Sequence, residues 1–148
     1  MPDEICIRRY RLDRIRQLLD DADVAGLLLI DPVNIRYATG SRNMQVWTMH
    51  NPCRYAFIAA GGPVIMFDLG SSKHLAEGLE TIDEIRPASA WDYMMVGPRA
   101  AEMAGKWAAE IADLVSHYGG ENKRLAMDRA DWLPVQALQA RSRPSDLD

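Results

Sequence analysis

Between Ser41 and Arg54 the residues Arg42, Asn43, Gln45, Trp47, His50 and Arg54 crowd into one short span, and their types suit recognition more than bond-making. A guanidinium offers a two-pronged fork to a carboxylate, and an indole face attracts a cation. Asn43, Trp47, His50 and Arg54 are therefore candidates for holding a small charged ligand. A second reading stands beside it with equal weight: a loop tied down by its own hydrogen bonds, with Trp47 covering core.

Catalytic alternatives in the same span are weaker. A serine or cysteine nucleophile needs an activated setting, such as a strained elbow between small residues, and neither Ser41 nor Cys53 has one. His50 and Cys53 lie three positions apart, which in an extended segment sends their side chains to opposite faces. Cys53 reads instead as a small core residue at a strand start. His50, His74 and His117 are far apart in sequence without a partner at metal-ligand spacing, so no metal site is expected in this chain. Gly61-Gly62-Pro63 lacks the spacing of a phosphate loop and puts proline where an amide donor is needed.

The elements that must position this span are read from periodicity. Leu12, Ile15, Leu18 and Leu19 fall at helical spacing over 7–20, opposite a face rich in arginine and aspartate that reads as solvated. Leu27 to Ile30 is a buried strand, and Asp31-Pro32 ends it, because the residue before proline is pushed out of the helical region. From there to Arg54 a long loop is expected. Tyr55–Ala60 and Val64–Asp68, joined by Gly61-Gly62-Pro63, form a hairpin. A short helix over 71–77 capped by Ser71 or Ser72 follows, then an edge strand over 82–87, whose proline suits an edge or a strand end. The segment 91–98 reads as a loop whose large apolar groups need cover. Met103, Trp107, Ile111, Leu114, Val115 and Tyr118 make one stripe of a helix that Gly119-Gly120 stops. A strand over 124–128 and a helix from Asp131 to about Gln139 complete an α/β fold, a mixed sheet of about five to six strands with helices on both sides. Leu147 reads as the first residue of a further strand, so the chain is expected to be cut from something longer.

The 148 residues make one domain, 1–148, with 48% hydrophobic and 26% charged residues and enough mass for a core without disulfides. A net charge of −4 disfavours nucleic acid or an anionic membrane as partner. Two cysteines, Cys6 and Cys53, and a polar start without a signal segment point to the cytoplasm, with no disulfide between them.

Asp31-Pro32-Val33-Asn34-Ile35-Arg36-Tyr37-Ala38-Thr39-Gly40 resembles the D-P-x-N-I-x-Y-x-T-G pattern of N-terminal domains in the creatinase/prolidase group of pita-bread enzymes. The resemblance extends to the leading amphipathic helix, the Leu-rich strand, the hairpin ending in Phe67-Asp68 and the R-L-A-M-D-R strand near the end. It implies a ribonuclease-H-like α/β domain that lacks the C-terminal catalytic half, where the family holds a divalent metal on two aspartates, a histidine and two glutamates. No cofactor is implied for this domain itself. The resemblance also implies a homodimer of the full-length protein, in which the loop after the motif reaches the partner's active site and helps to hold a small molecule or dipeptide.

Carried over by position, Asp31, Pro32, Asn34, Tyr37 and Gly40 are structural. Arg54 lies near the place of a basic residue for a substrate carboxylate, although the loop before it is longer than in creatinase. Asn43-Met44-Gln45-Val46-Trp47 followed by His50-Asn51-Pro52 is most similar to the dimethylsulfoniopropionate-lyase branch, with an Xaa-Pro peptidase as the other expectation. A sulfonium or betaine-like substrate gives Trp47 a cation to face. A different class also stays open: a free-standing α/β binding or interaction module without a catalytic partner.

Overall fold

The computed structural model describes residues 3–142, the side chain of Ser142 excepted, so the expected strand at Leu147 lies outside the described residues. Helix α1 spans Glu4–Asp21 and is capped by Asp3, whose carboxylate accepts from the Ile5 amide. Strand β1 (Gly26–Leu29) follows. Two helices, α2 (Pro32–Thr39) and α3 (Gln45–His50), then occupy what the sequence presents as loop.

Strands β2 (Tyr55–Ala59) and β3 (Val64–Asp68) form the expected hairpin, and β4 (Glu84–Pro87) lies at the edge as read. The segment 93–96 is a short helix, α4 (Tyr93–Val96), because the Asp92 carboxylate accepts from the Met95 amide and caps it. A 3-10 turn leads into α5 (Ala100–Gly119), and β5 (Leu125–Met127) and α6 (Trp132–Ser142) follow. The expected helix over 71–77 is a 3-10 turn, Gly70–Leu75, with no side-chain cap. So short a run closes i to i+3 bonds more readily than it nucleates an α-helix.

The sheet runs β4-β3-β2-β1-β5. Its three central strands are antiparallel, and the outer pairs β3–β4 and β1–β5 are parallel. Period-two alternation sorts the side chains into two cores. Leu28, Ile30, Tyr55, Phe57, Ile65 and Phe67 pack under Trp107, Ile111 and Leu114 of α5. Leu29, Ala56, Ile58 and Met66 pack under Leu12, Leu19 and Ile35 of α1 and α2. Both faces of β2 and β3 are thus covered, and their ten residues are buried throughout.

Trp91, which needed cover, packs tilted against Trp107 with ring centroids 4.9 Å apart, and Tyr55 stacks on Phe67 at 4.6 Å. No helix among the described residues is long and apolar enough to cross a membrane.

The register brings the connections to one end of the sheet. Leu29 faces Ala56, Tyr55 faces Phe67, Asp68 faces Pro87, and Leu28 faces Met127. The chain therefore leaves β1, β3, β4 and β5, and enters β2, at the same edge. There the helices α2, α3 and α4 and the start of α6 gather.

Candidate functional site

The motif at Asp31 is a complete helix from cap to cap. Asp31 has extended backbone angles, and its carboxylate accepts from the amides of Val33 and Asn34, while Pro32 takes the first helical position, where its missing N–H costs nothing. Ile35 and Ala38 face the core, and Thr39 donates to the Ile35 carbonyl at 2.7 Å. Gly40 ends the helix at φ +81°, and an added Cβ there would sit 2.3 Å from Cδ of Arg8. Asn34 reaches sideways: its amide donates to Asp128 Oδ2 at 3.0 Å, and Asp128 also accepts from the Ile30 and Asp31 amides. Tyr37 lies on the α1 side, with Arg11 stacked over its ring at 5.2 Å.

Beyond Gly40 the chain is pinned twice before it enters β2. Ser41 is buried; its amide donates to Thr39 Oγ1 and its hydroxyl to the Leu75 carbonyl. Arg54 is 2% exposed, donates from Nε to Asp68 Oδ2 at 2.7 Å, and donates from Nη2 to the Ser41 hydroxyl. The expectation that Arg54 offers its fork to a ligand carboxylate meets a different placement. Its carboxylate partner is Asp68, inside this domain, because Tyr55↔Phe67 pairing sets the start of β2 beside the end of β3.

Between the two pins, α3 projects at the sheet edge. The Asn43 side chain accepts from the Met44 amide at 2.7 Å and turns the chain into the helix. Trp47 and Asn43 are half-buried and His50 is exposed, while Met44, Val46 and Met49 expose apolar surface. Asn51 closes α3 by donating its amide and side chain to the Trp47 carbonyl. Arg129 donates to the Met49 carbonyl at 2.6 Å and to Asp131, whose other oxygen accepts from the Trp91 indole. The helix is thereby tied to the aromatic core.

Asn43, Trp47 and His50 thus share one projecting segment, with Arg54 at its base. The residues that hold this segment, Ser41, Asp68, Arg129 and Asp131, escape a sequence reading because their partners come from other elements. Asp68 at the end of the hairpin, an acid closing an apolar run, is the one visible signal.

Cys53 is not placed to act as a nucleophile. Cys53 is fully buried, and burial pushes its thiol up to about 11. Cys6 is exposed, and both cysteines are unpaired. In native protein at pH 8, a thiol reagent is expected to label Cys6 rapidly and Cys53 only on unfolding. Mass mapping of the labelled peptides checks this; rapid labelling of Cys53 would mean that the loop opens. Among the described residues no group of three or more His, Cys, Asp or Glu is placed to hold a metal ion. What the arrangement can do is present an indole, an imidazole and a carboxamide on a fixed base.

The creatinase/prolidase N-terminal domain model matches residues 11–143. Dimethylsulfoniopropionate lyase DddP of Roseovarius nubinhibens is 35% identical over 140 residues, and that of Roseobacter denitrificans 36% over 140. Each alignment covers 95% of this chain and 31% of the relative, so the chain spans about a third of the length of the proteins it resembles. Among solved structures, an Xaa-Pro aminopeptidase from Streptococcus pyogenes superposes with a TM-score of 0.57 at 16% identity, covering 90% of this chain and 84% of that one. The creatinase/prolidase N-terminal domain of an X-Pro dipeptidase from the same species gives 0.53 at 18%, covering 88% and 86%. At these identities the two structures share the fold alone.

Proposed function

The chain belongs to the creatinase/prolidase N-terminal domain family, and on that premise we propose that it is the non-catalytic part of a longer enzyme of the dimethylsulfoniopropionate-lyase kind, presenting α3 to the substrate pocket of a partner subunit in a homodimer. The observation that carries this reading is the contrast within one segment. Its base is buried and ion-paired through Arg54 and Asp68, while its tip exposes Met44, Val46, Met49 and His50. A rigid base under an apolar, uncovered tip suits a surface that completes a site on another unit. Tyr93, Met94 and Trp132 at the same sheet end widen the surface that needs cover.

In this reading Trp47 faces the sulfonium cation, where a π-face attracts positive charge, and Asn43 and His50 border the ligand. Arg54 acts by fixing the loop. In this reading the divalent metal would be held by the catalytic part, since the donor set of the described residues does not fit one. The lyase branch is preferred to the peptidase because similarity at 35% identity covers 95% of the chain.

The test is activity of the full-length protein on dimethylsulfoniopropionate and on Xaa-Pro dipeptides. Release of dimethyl sulfide from the first, with little turnover of the second, is expected. Trp47→Ala should raise KM about tenfold while changing kcat less, as loss of a cation–π contact present in both ground and transition states would. Dipeptide hydrolysis alone would sink the lyase reading. An unchanged KM with a large drop in Tm would make Trp47 a packing residue.

A further inference from the structure

Four arginines from two distant stretches of sequence meet where α1 crosses the end of α2. Arg8, Arg11, Arg36 and Arg42, with Glu4, Ile7 and Gly40, line a cleft of about 220 Å³. In a chain of net charge −4 this is a local excess of positive charge. The carboxylates nearby do not cancel it. Glu80 and Glu4 both serve Arg8, with Glu80 taking its Nε and Nη2 at 2.8 and 2.9 Å and Glu4 lying 3.4 Å away. Arg11 has the Tyr37 ring and no carboxylate, and the side chains of Arg36 and Arg42 have no hydrogen-bond or ion-pair partner among the described residues.

The cleft is also shaped. Arg8 is locked by its two-pronged bond to Glu80, and its stem lies across Gly40, where any side chain would displace it. Arg11 is steadied by the Tyr37 face. Arg8 and Arg11, held in this way, lose little freedom when an anion enters, while the unpaired side chains of Arg36 and Arg42 are left to close on it, and planar guanidinium forks match the oxygens of a phosphate or carboxylate. The volume is below that of drug-sized pockets, which selects a compact anion.

We propose that this cleft binds a small, multiply charged oxyanion of the phosphate class, gripped by Arg11, Arg36 and Arg42 with Arg8 as a fixed wall. Free phosphate and the phosphate group of a small metabolite share this chemistry. Occupation would tie α1 to the chain just before Asn43.

The test is titration of the 148-residue chain with inorganic phosphate against sodium chloride at equal ionic strength, followed by amide NMR and by Tm. Phosphate should shift the Gly40 and Ser41 signals saturably and raise Tm, whereas chloride should do neither. Arg36→Gln with Arg42→Gln should weaken binding about tenfold or more, since charge-assisted hydrogen bonds are lost. Arg11→Lys, which keeps the charge but loses the fork, should also weaken it. Arg14→Gln, on the exposed face of α1, should not. Glycerol 3-phosphate in place of inorganic phosphate separates the two sources: tighter binding points to a phosphorylated metabolite, equal or weaker binding to the free ion. Shifts that never saturate, a matching response to chloride, or equal weakening by Arg14→Gln would overturn the site.

Discussion

Arg54→Met is expected to destabilise the domain by about 3–5 kcal/mol, the usual cost of removing one partner from a buried ion pair. The side chains of Arg54 and Asp68 are each 1% exposed, so water cannot replace what the substitution removes. Methionine fills much of the arginine stem, so the loss is electrostatic more than volumetric. Asp68 would keep only the Leu69 amide, which donates to Oδ1 at 2.9 Å, and would hold an uncompensated charge against the start of β2. Domains of this kind have about 5–15 kcal/mol of total stability, so the variant should lie near the threshold of unfolding.

Urea denaturation gives the measurement, with the midpoint falling and the slope unchanged. Arg54→Met combined with Asp68→Leu should be more stable than Arg54→Met alone, because the second change removes the stranded charge. A loss below about 1 kcal/mol would mean that the pair is hydrated in solution, since exposed pairs contribute about that little. Arg54 would then be free to meet a ligand after all.

The same pair shows what a sequence can and cannot disclose. The hairpin, the stripe of α5 and the edge position of β4 follow from local pattern, because each is written in neighbouring residues. Strand order and the partner of Arg54 depend on pairing between distant segments. Arginine beside tryptophan in a loop reads as a ligand group until Tyr55↔Phe67 pairing brings Asp68 to it.

Helix α2 was legible in principle, since Asp-Pro before an apolar-periodic stretch and glycine after it are start and stop signals. The rule that proline excludes the preceding residue from a helix points at the same Asp31, however, and it reads equally as the end of a strand. Helix α3 has no such signal. At six residues, with Met44 at its N-cap and no side-chain bond there, it lies below the length at which an isolated helix forms, and a local bond from Asn51 at its C-terminus and a tertiary bond from Arg129 hold it. The arginine cleft is similarly hidden, because Arg8 and Arg11 read as the solvated face of one helix until Arg36 and Arg42 are folded against them.

Asp128→Ala is the second large effect expected, about 2–4 kcal/mol, with the damage confined to one side of the sheet. One carboxylate there joins three donors: the Ile30 amide at 2.8 Å, the Asp31 amide at 3.1 Å and the Asn34 side chain at 3.0 Å. Ile30 is buried, so its amide would be left without a partner, and the negative charge near the start of α2 would be lost. Strand β5 has three residues and sits at the edge, so it has little else to hold it.

Amide exchange should therefore quicken in β5 and in the first turn of α2, while β2 and β3 stay protected. Asn34→Ala removes one donor of the three and should cost about 1 kcal/mol, nearly all of it absent in the Asp128→Ala background. Uniformly faster exchange would refute a local role. If exchange stays local, the motif's asparagine acts through Asp128 as a bolt between β5 and α2, and in the full-length enzyme Asp128→Ala should raise KM by letting the α3 segment drift from its partner pocket.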